Sequence, residues 1–193
     1  MPKSVDINLK TFYTNIIKKN PLYLPHQFIV TFEGADLPAE FASDPTNHNS
    51  LTYYVKSSSV PEVTIAEQTV NFLGQDFVVP KGVTYGGTWQ VTCYAMASMY
   101  HYNALRAWCE QFADLKNNGG GKKTIPNVKA TVHLIDSTMT QDLHDFVLEG
   151  VFPSKVPDLS MKYENAANIP DLQLEFTYQY MYRLDEEDPL AAS

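Results

Sequence analysis

Residues that could bind a metal ion or carry acid–base catalysis are few in this chain and lie far apart. His133 and His144 fall on two neighbouring predicted strands, and Asp136, Asp142 and Asp145 are close to them in sequence. Histidine and carboxylate are ligands that Zn²⁺ accepts, but a site needs at least three of them in one place. Surface histidines on a hairpin explain the same residues without a metal ion, and we prefer that interpretation. The other histidines are His26, His48 and His101.

The two cysteines, Cys93 and Cys109, have no metal-ligand or redox spacing. Cys93 falls on the apolar face of a predicted strand, and Cys109 lies one position from the apolar stripe of a predicted helix. We expect buried free thiols, with a disulfide within or between subunits as the alternative. The chain also lacks a GxSxG, P-loop, GxGxxG or HExxH motif. The sequence therefore predicts no enzyme, no cofactor and no metal site.

The composition is that of a globular chain with an acidic surface. Of the 193 residues, 44% are hydrophobic and 19% are charged, which argues against the disordered and fibrous classes. The formal net charge of −8 argues against a protein that grips nucleic acid through its phosphates. No apolar run approaches the roughly 18 residues of a membrane-spanning helix, and the N-terminus lacks the apolar stretch of a signal peptide. We expect no membrane anchor, and synthesis in a reducing compartment.

Alternating apolar and polar residues predict a mainly β fold. We predict an antiparallel β-barrel or sandwich of about eight strands, with one flanking α-helix and one long protruding hairpin. One predicted strand places Phe146, Leu148, Gly150 and Phe152 on a single face. The last strand, of about eleven residues, places on one face Leu172, Leu174, Phe176, Tyr178, Tyr180 and Tyr182.

The long helix is predicted over 99–115, within a single domain that spans 1–193. Its apolar residues recur at helical spacing and form one stripe, which should cover the outer side of the barrel. This stripe consists of Leu105, Trp108, Phe112 and Leu115. The segment 1–26 is predicted to be an N-terminal arm, and 184–193 a loose acidic tail.

Residues 57–80 are predicted to form a long hairpin that needs a partner. The apolar positions change parity between Ile65 and Val70, which requires a bulge, a bend or a change of partner sheet. A lone hairpin is marginally stable in water, so a neighbouring subunit is the natural partner. The predicted contact residues are Val63, Ile65, Val70, Phe72, Leu73 and Gln75. A hairpin folded back on its own barrel is the alternative.

The polar face of the last predicted strand has two interpretations. Gln173, Glu175, Thr177 and Gln179 form either a solvated outer face or the wall of a wet channel built from several subunits. The sequence does not choose between them.

Four stretches, taken in order, resemble the tail tube proteins of contractile-tailed bacteriophages. They are KKNPLYLPHQFIVTFEG, VKSSSVPEVTIAEQTVNFLGQDFVVPKG, the block VTYGGTWQVTCYAM with the following YNALRAWCEQF, and the segment from FVLEGVFPSKVPDL to LQLEFTYQYMY. Together they cover about 27–183. The departures from the family pattern are the loop 35–51, the Gly119–Gly121 tract and the acidic tail.

The resemblance implies a structural virion protein rather than an enzyme. Subunits of that family form hexameric rings that stack into a hollow inner tube, surrounded by a sheath and joined to a baseplate. The tube conducts the phage DNA into the host when the sheath contracts, and it is assembled in the host cytoplasm. An acidic lumen would repel DNA and keep it moving. The candidate lumen-facing acids are Glu62, Glu67, Asp76 and Glu175.

Other functions remain open at this point. The nearest alternatives are a tube initiator or terminator, or the tube of a related injection or secretion machine. A β-barrel that binds a small ligand or catalyses a reaction is a distant alternative, because the sequence shows no paired acid and base.

Overall fold

A computed structural model of the protein describes residues 26–38, 41, 50–114, 119–121, 123–135, 142–159 and 169–184. Apart from His26 and Leu184, the predicted arm and tail lie outside these residues, as does Leu115 of the helix stripe. The single α-helix of the described residues is α1 (Tyr100–Phe112), and a short 3-10 helix spans Leu51–Tyr53. The strands are β1 (Phe28–Gly34), β2 (Val55–Ser58), β3 (Val63–Phe72), β4 (Gln75–Tyr85), β5 (Thr88–Tyr94), β6 (Ala113–Asp114), β7 (Gly119–Gly120), β8 (Val128–Ile135), β9 (Asp142–Glu149), β10 (Phe152–Pro153), β11 (Asp171–Thr177) and β12 (Tyr180–Arg183).

Two four-stranded antiparallel sheets make up the body of the fold. Sheet A has the strand order β1-β8-β9-β12, and sheet B has the order β10-β11-β5-β2. Phe32 of sheet A contacts Trp89 and Phe176 of sheet B, with ring centroids 5.7 and 5.4 Å apart. The prediction of a mainly β, antiparallel fold with one helix is confirmed, and the two sheets form a sandwich around this aromatic cluster.

Helix α1 covers one side of the sandwich. Its buried residues are His101, Ala104, Leu105, Trp108 and Cys109. The Trp108 ring lies 5.3 Å from the Phe41 ring and 5.9 Å from the Phe176 ring, so it joins the aromatic cluster between the two sheets. Phe112, at the last position of the helix, is only half-buried. The helix ends three residues before the predicted boundary, because Ala113 takes extended backbone angles.

Strand β9 stops at Glu149, so the predicted strand through Phe152 is wrong. Gly150 has a φ of +66°, which L side chains rarely adopt, and it turns the chain out of sheet A. Phe152 then begins β10, which belongs to sheet B. A glycine at this point lets one segment supply both layers of the sandwich.

The predicted eleven-residue last strand is also wrong, because the chain changes sheet at Tyr178. Strand β11 pairs with β5 in sheet B, whereas β12 pairs with β9 in sheet A. The amide of Gln179 donates a hydrogen bond to the carbonyl of Glu149 in sheet A, at 2.9 Å. Tyr180 and Tyr182 stack on each other, half-buried, instead of continuing the core face of Leu172 and Leu174.

Strands β3 and β4 form a separate two-stranded ribbon that continues the hairpin begun by β2 and β5. The ribbon spans 63–85 rather than the predicted 57–80. Ser57 and Ser58 belong to β2 and pair with β5, and β4 runs past Pro80 to Tyr85. Ala66 pairs with Gly82 and Glu67 pairs with Pro80, so the register shifts by one residue at this point.

Candidate assembly surface

The β3–β4 ribbon exposes many large apolar side chains that the rest of the described subunit does not cover. Its exposed large apolar side chains are Val63, Ile65, Val70, Phe72, Leu73, Phe77, Val78, Val79 and Val83. A monomeric soluble protein rarely exposes a contiguous apolar patch larger than a few hundred Å². A two-stranded hairpin is also marginal in water by itself. Both facts indicate that this surface is covered by another molecule when the protein works.

The apolar residues form two patches on opposite sides of the ribbon. The extra residue of the bulge lies on β4, so side chains along β3 alternate without interruption. Near the base, the patch contains Ile65 and its partner Val83. Near the tip, the other side carries Val70 and its partner Phe77. The change from odd to even apolar positions between Ile65 and Val70 therefore reflects a switch of the apolar side chains from one face of the ribbon to the other.

The tip of the ribbon places an apolar side chain where it is unfavourable in an isolated subunit. Leu73 and Gly74 form the two-residue turn, with φ values of +52° and +81°. Both values are those of a type I′ turn, in which asparagine, aspartate or glycine is usual at the first position. Leu73 is 88% exposed, which is the largest exposure among the apolar residues of the described chain. This strain and exposure make Leu73 a candidate contact residue.

The root of the ribbon is fixed to the sandwich. The indole Nε1 of Trp89 donates a hydrogen bond to the carbonyl of Ser59, and the Tyr85 ring packs edge-on against Tyr178 at 6.5 Å. The amide of Gly86 donates to the carbonyl of Glu62 at 3.2 Å. The ribbon therefore begins at a defined place on the body.

The outer face of sheet B is polar. Across β5 and β11, Gln90 lies opposite Glu175, Thr92 lies opposite Gln173, and Thr88 lies opposite Thr177. The alternate residues of the same strands, such as Val91 and Leu174, are buried in the core. The alternation predicted from the sequence is present here, as a half-buried sheet requires.

Two ion pairs neutralise carboxylates on this polar face. Lys155 donates a hydrogen bond to the carboxylate of Glu175 at 2.6 Å, and this bond lowers the pKa of Glu175 below its ordinary value, with a smaller contribution from Ser154. Lys56 donates to Asp171 at 2.7 Å, which raises the pKa of the lysine. The face is therefore charged but locally balanced.

The four acids proposed for a lumen do not lie together in one subunit. Glu62 stands at the root of the ribbon, Glu67 at its bulge and Asp76 beside its tip, where the Asn71 amide donates to it at 2.7 Å. Glu175 lies on sheet B. Three of the four are thus carried by the ribbon or its root, and only one by the polar face of sheet B.

His133 and His144 do not face each other. His133 lies opposite Asp145 and His144 lies opposite Leu134, so the two imidazoles leave opposite faces of sheet A. In the part of the chain that the structure describes, no three His, Cys, Asp or Glu side chains come close enough to hold a metal ion. Cys93 and Cys109 are buried free thiols.

Thr31, His133 and Asp145 stand in the order hydroxyl, imidazole and carboxylate that hydrolases use. The imidazole Nε2 lies 2.9 Å from the Thr31 hydroxyl, and Nδ1 lies 2.9 Å from the Asp145 carboxylate. A hydrolase also needs free N–H donors for an oxyanion. Strand β8, which carries His133, is paired on both sides, to β1 and to β9. We interpret the three side chains as a network that ties three strands together.

Sequence reasoning missed two parts of this surface. It assigned contacts to β3, to the turn and to Gln75 at the start of β4, but overlooked Phe77 and Val83 further along β4. It also overlooked an apolar cleft at the end of α1, whose walls include Phe112, Ile125 and Phe152. The wall residues lie far apart along the chain, so no local pattern reveals the cleft.

Among the described residues no helix has the length and apolar content needed to cross a membrane.

The family of the chain follows from comparison with known proteins. A family model described as phage tail tube protein matches residues 23–184. The chain belongs to this family, whose members are structural tube proteins. No curated protein sequence matches the chain.

Solved structures share its fold at low sequence identity. A chain of the anti-feeding prophage baseplate, solved with sixfold symmetry, aligns with a TM-score of 0.58 and 12% identity over 84% of this chain and 95% of that one. A chain of the sheath–tube complex of the extracellular contractile injection system PVC, in its extended state, aligns with a TM-score of 0.57 and 11% identity. The alignment covers 92% of this chain and 97% of that one. A chain of the cap that terminates the anti-feeding prophage tube aligns with a TM-score of 0.57 and 13% identity, over 84% of this chain and 90% of that one.

Proposed function

We propose that copies of this chain form hexameric rings, and that these rings stack into the hollow inner tube of a contractile phage tail. The observation that carries the proposal is the projecting apolar ribbon on a chain of the tail tube family. A tube is made of repeated copies, so each copy needs surfaces that are unfavourable when exposed and complementary to another copy. The ribbon has this property.

The similar structures support a sixfold assembly that contacts sheath and baseplate proteins. The anti-feeding prophage baseplate was solved with sixfold symmetry, and the PVC chain comes from a sheath–tube complex. By analogy, this chain works in the virion, contacts a sheath protein on the outside of the tube, and meets baseplate and tube-end proteins at its ends. Assembly takes place in the host cytoplasm. The role is mechanical, with no catalysis by the chain.

The ribbon is the element that joins one ring to the next. Its predicted contact residues Val63, Ile65, Val70, Phe72 and Leu73 are all exposed large apolar side chains. Gln75 follows the turn and pairs with Phe72 across the ribbon. Ten residues of β3 span about 33 Å at about 3.3 Å per residue, which is enough to reach a neighbouring ring.

The polar face of sheet B forms the lumen wall, together with acids from the ribbon. Uncharged side chains such as Thr92 and Gln173 give the phosphates of DNA no cation to pair with. Among the candidate acids, Glu62, Glu67 and Asp76 would add repulsion toward phosphates, whereas the charge of Glu175 is balanced by Lys155. The phage DNA therefore passes without tight binding. A tube structure with a basic channel wall would refute this part of the proposal.

Sedimentation velocity and negative-stain electron microscopy of the purified protein test the assembly. We expect sixfold rings or long tubes that form as the protein is concentrated. Single rings that never stack would indicate a tube-end protein instead. A protein that remains a clean monomer at high concentration would rule out the tube function.

A further inference from the structure

A narrow apolar cleft opens where α1, β10 and the β11–β12 connection meet. Its lining includes Phe112, Ile125, Pro126 and Phe152, with Lys123 and Gln179 among the polar residues, and its volume is about 240 Å³. The Phe112 and Phe152 rings face each other at 5.7 Å. Ile125 is 67% exposed, so the cleft is accessible to a side chain of another molecule.

Gly150 maintains the shape of this cleft. A Cβ at this position would lie 2.6 Å from Cγ of Gln179 and 3.0 Å from Cγ2 of Ile125, so both lining residues would have to move. The same glycine has a φ of +66°. The turn that moves the chain from sheet A to sheet B therefore also shapes the wall of the cleft.

The ribbon tip has the size and chemistry to fill the cleft. An apolar cavity of about 150 Å³ is known to hold benzene, which has the size of a phenylalanine ring. A cleft of about 240 Å³ therefore has room for the Phe72 ring or the Leu73 side chain. These two residues are 64% and 88% exposed in the isolated subunit. Burying them would remove both the exposed apolar tip and the exposed apolar cleft.

The charges beside the two surfaces are complementary. Asp76 lies next to the tip and is exposed, with a neutral hydrogen-bond donor, Asn71. Lys123 is exposed on the lining of the cleft. The carboxylate beside the tip and the ammonium beside the cleft therefore attract each other.

The tip cannot fill the cleft of its own subunit. Gln179, which lines the cleft, follows Tyr178, and Tyr178 packs against Tyr85 at the root of the ribbon. The cleft thus opens near the root, whereas the tip lies about 30 Å away at the far end of an extended strand pair. The occupant has to come from a second copy.

We propose that the Phe72–Leu73 tip of one copy inserts into the cleft of another copy, with Asp76 facing Lys123. This inference rests on the proposed tube function and specifies the surface that receives the ribbon. Because tip and cleft are different surfaces of the same chain, each copy both inserts into one neighbour and receives another. A contact of this kind produces rings or open filaments rather than closed twofold dimers.

Site-directed cross-linking tests the contact directly. The variant Leu73→Cys/Ile125→Cys is assembled and treated with a short bismaleimide. We expect a ladder of covalent oligomers on a denaturing gel. The control is Leu73→Cys/Ile29→Cys, which places the second thiol at an exposed apolar position of β1, outside the cleft. The native thiols contribute little, because burial raises the pKa of Cys93 to about 12 and that of Cys109 to about 11.

Charge reversal provides a second, independent readout. Asp76→Lys and Lys123→Asp should each lower the yield of assembled particles at least several-fold, and the double variant should recover most of the loss. Tubes that form normally without cross-linking between positions 73 and 125, or single reversals without effect, would overturn the tip-in-cleft contact and leave the tube function standing. A wild-type protein that never assembles would instead overturn the tube function.

Discussion

The Trp89 indole donates its hydrogen bond to the carbonyl of Ser59 at 2.8 Å, and so links the centre of the aromatic core to the chain just before the ribbon. Trp89 is 1% exposed and lies on β5, whereas Ser59 is the first residue after β2. A single side chain thus stabilises the sandwich and fixes the direction in which the ribbon leaves it.

Replacing Trp89 by phenylalanine should lower the free energy of unfolding by about 1–3 kcal/mol, because it leaves a carbonyl without its donor and removes part of a buried ring. Urea denaturation measures this change. The control is Ser58→Ala, which removes only the longer contact of 3.2 Å between the indole and the Ser58 hydroxyl. Equal losses in the two variants would mean that the bond to Ser59 is unimportant.

Trp108→Ala should cost about 3–5 kcal/mol, because it removes a fully buried ring between Phe41 and Phe176. We expect a large drop in melting temperature or loss of soluble protein. Gln111→Ala, on the exposed side of the same helix, should change little. An unchanged melting temperature for Trp108→Ala would show that the helix is not part of the core.

Gly150→Ala should destabilise the subunit by roughly 2–4 kcal/mol, because alanine at a positive φ is strained and its Cβ collides with Gln179 and Ile125. The matched control is Gly82→Ala on β4, where a Cβ meets no atom within 4 Å. Thermal unfolding compares the two variants. Equal stability would show that the turn at Gly150 tolerates side chains.

The double variant Phe72→Ser/Leu73→Ser should fold as well as the wild type but fail to form long tubes, since both side chains are exposed in the subunit. Circular dichroism checks folding, and electron microscopy measures tube length. Ile169→Ser, which changes a residue 64% exposed outside the ribbon, is the control. Tubes of normal length in the double variant would exclude the tip as a stacking element.

The buried thiols predict a specific pH dependence. Burial raises the pKa of Cys93 to about 12 and of Cys109 to about 11, from an ordinary value of 9.0. Above pH 9 the unfolded chain loses these protons while the native chain keeps them, so the free energy of unfolding should fall as the pH rises from 9 toward 12. Maleimide should label both cysteines slowly in the native protein and quickly in urea. Rapid native labelling would contradict this burial.

The sequence pattern predicts the sandwich well where one face of a strand is buried within the same chain. Trp89, Val91 and Cys93 alternate with polar residues, and the structure buries all three. The pattern fails where the chain changes sheet. At Gly150 and Tyr178 the apolar alternation continues in sequence, although the residues that follow belong to the other layer. Alternation reports which residues are buried but not which sheet buries them.

The assembly surface is harder to predict, for a different reason. Phe77, Val78 and Val79 are consecutive apolar residues on β4, and all are exposed. A ribbon without its own core has no side that its own chain buries, so its apolar residues need not alternate. The cleft presents the opposite difficulty, because Phe112, Ile125 and Phe152 meet only through the tertiary fold.

The continuity between the ribbon and sheet B has a mechanical consequence. Strand β4 leads into β5 through Gly86 and Gly87 alone, and β5 is joined to β11 by seven paired positions. A load applied lengthwise at the tip therefore reaches the body as shear between β5 and its neighbours. In shear, the hydrogen bonds of a ladder share the load and break together, whereas peeling breaks them one at a time. The joint between the ribbon and the body therefore resists an axial load on the tip without peeling apart.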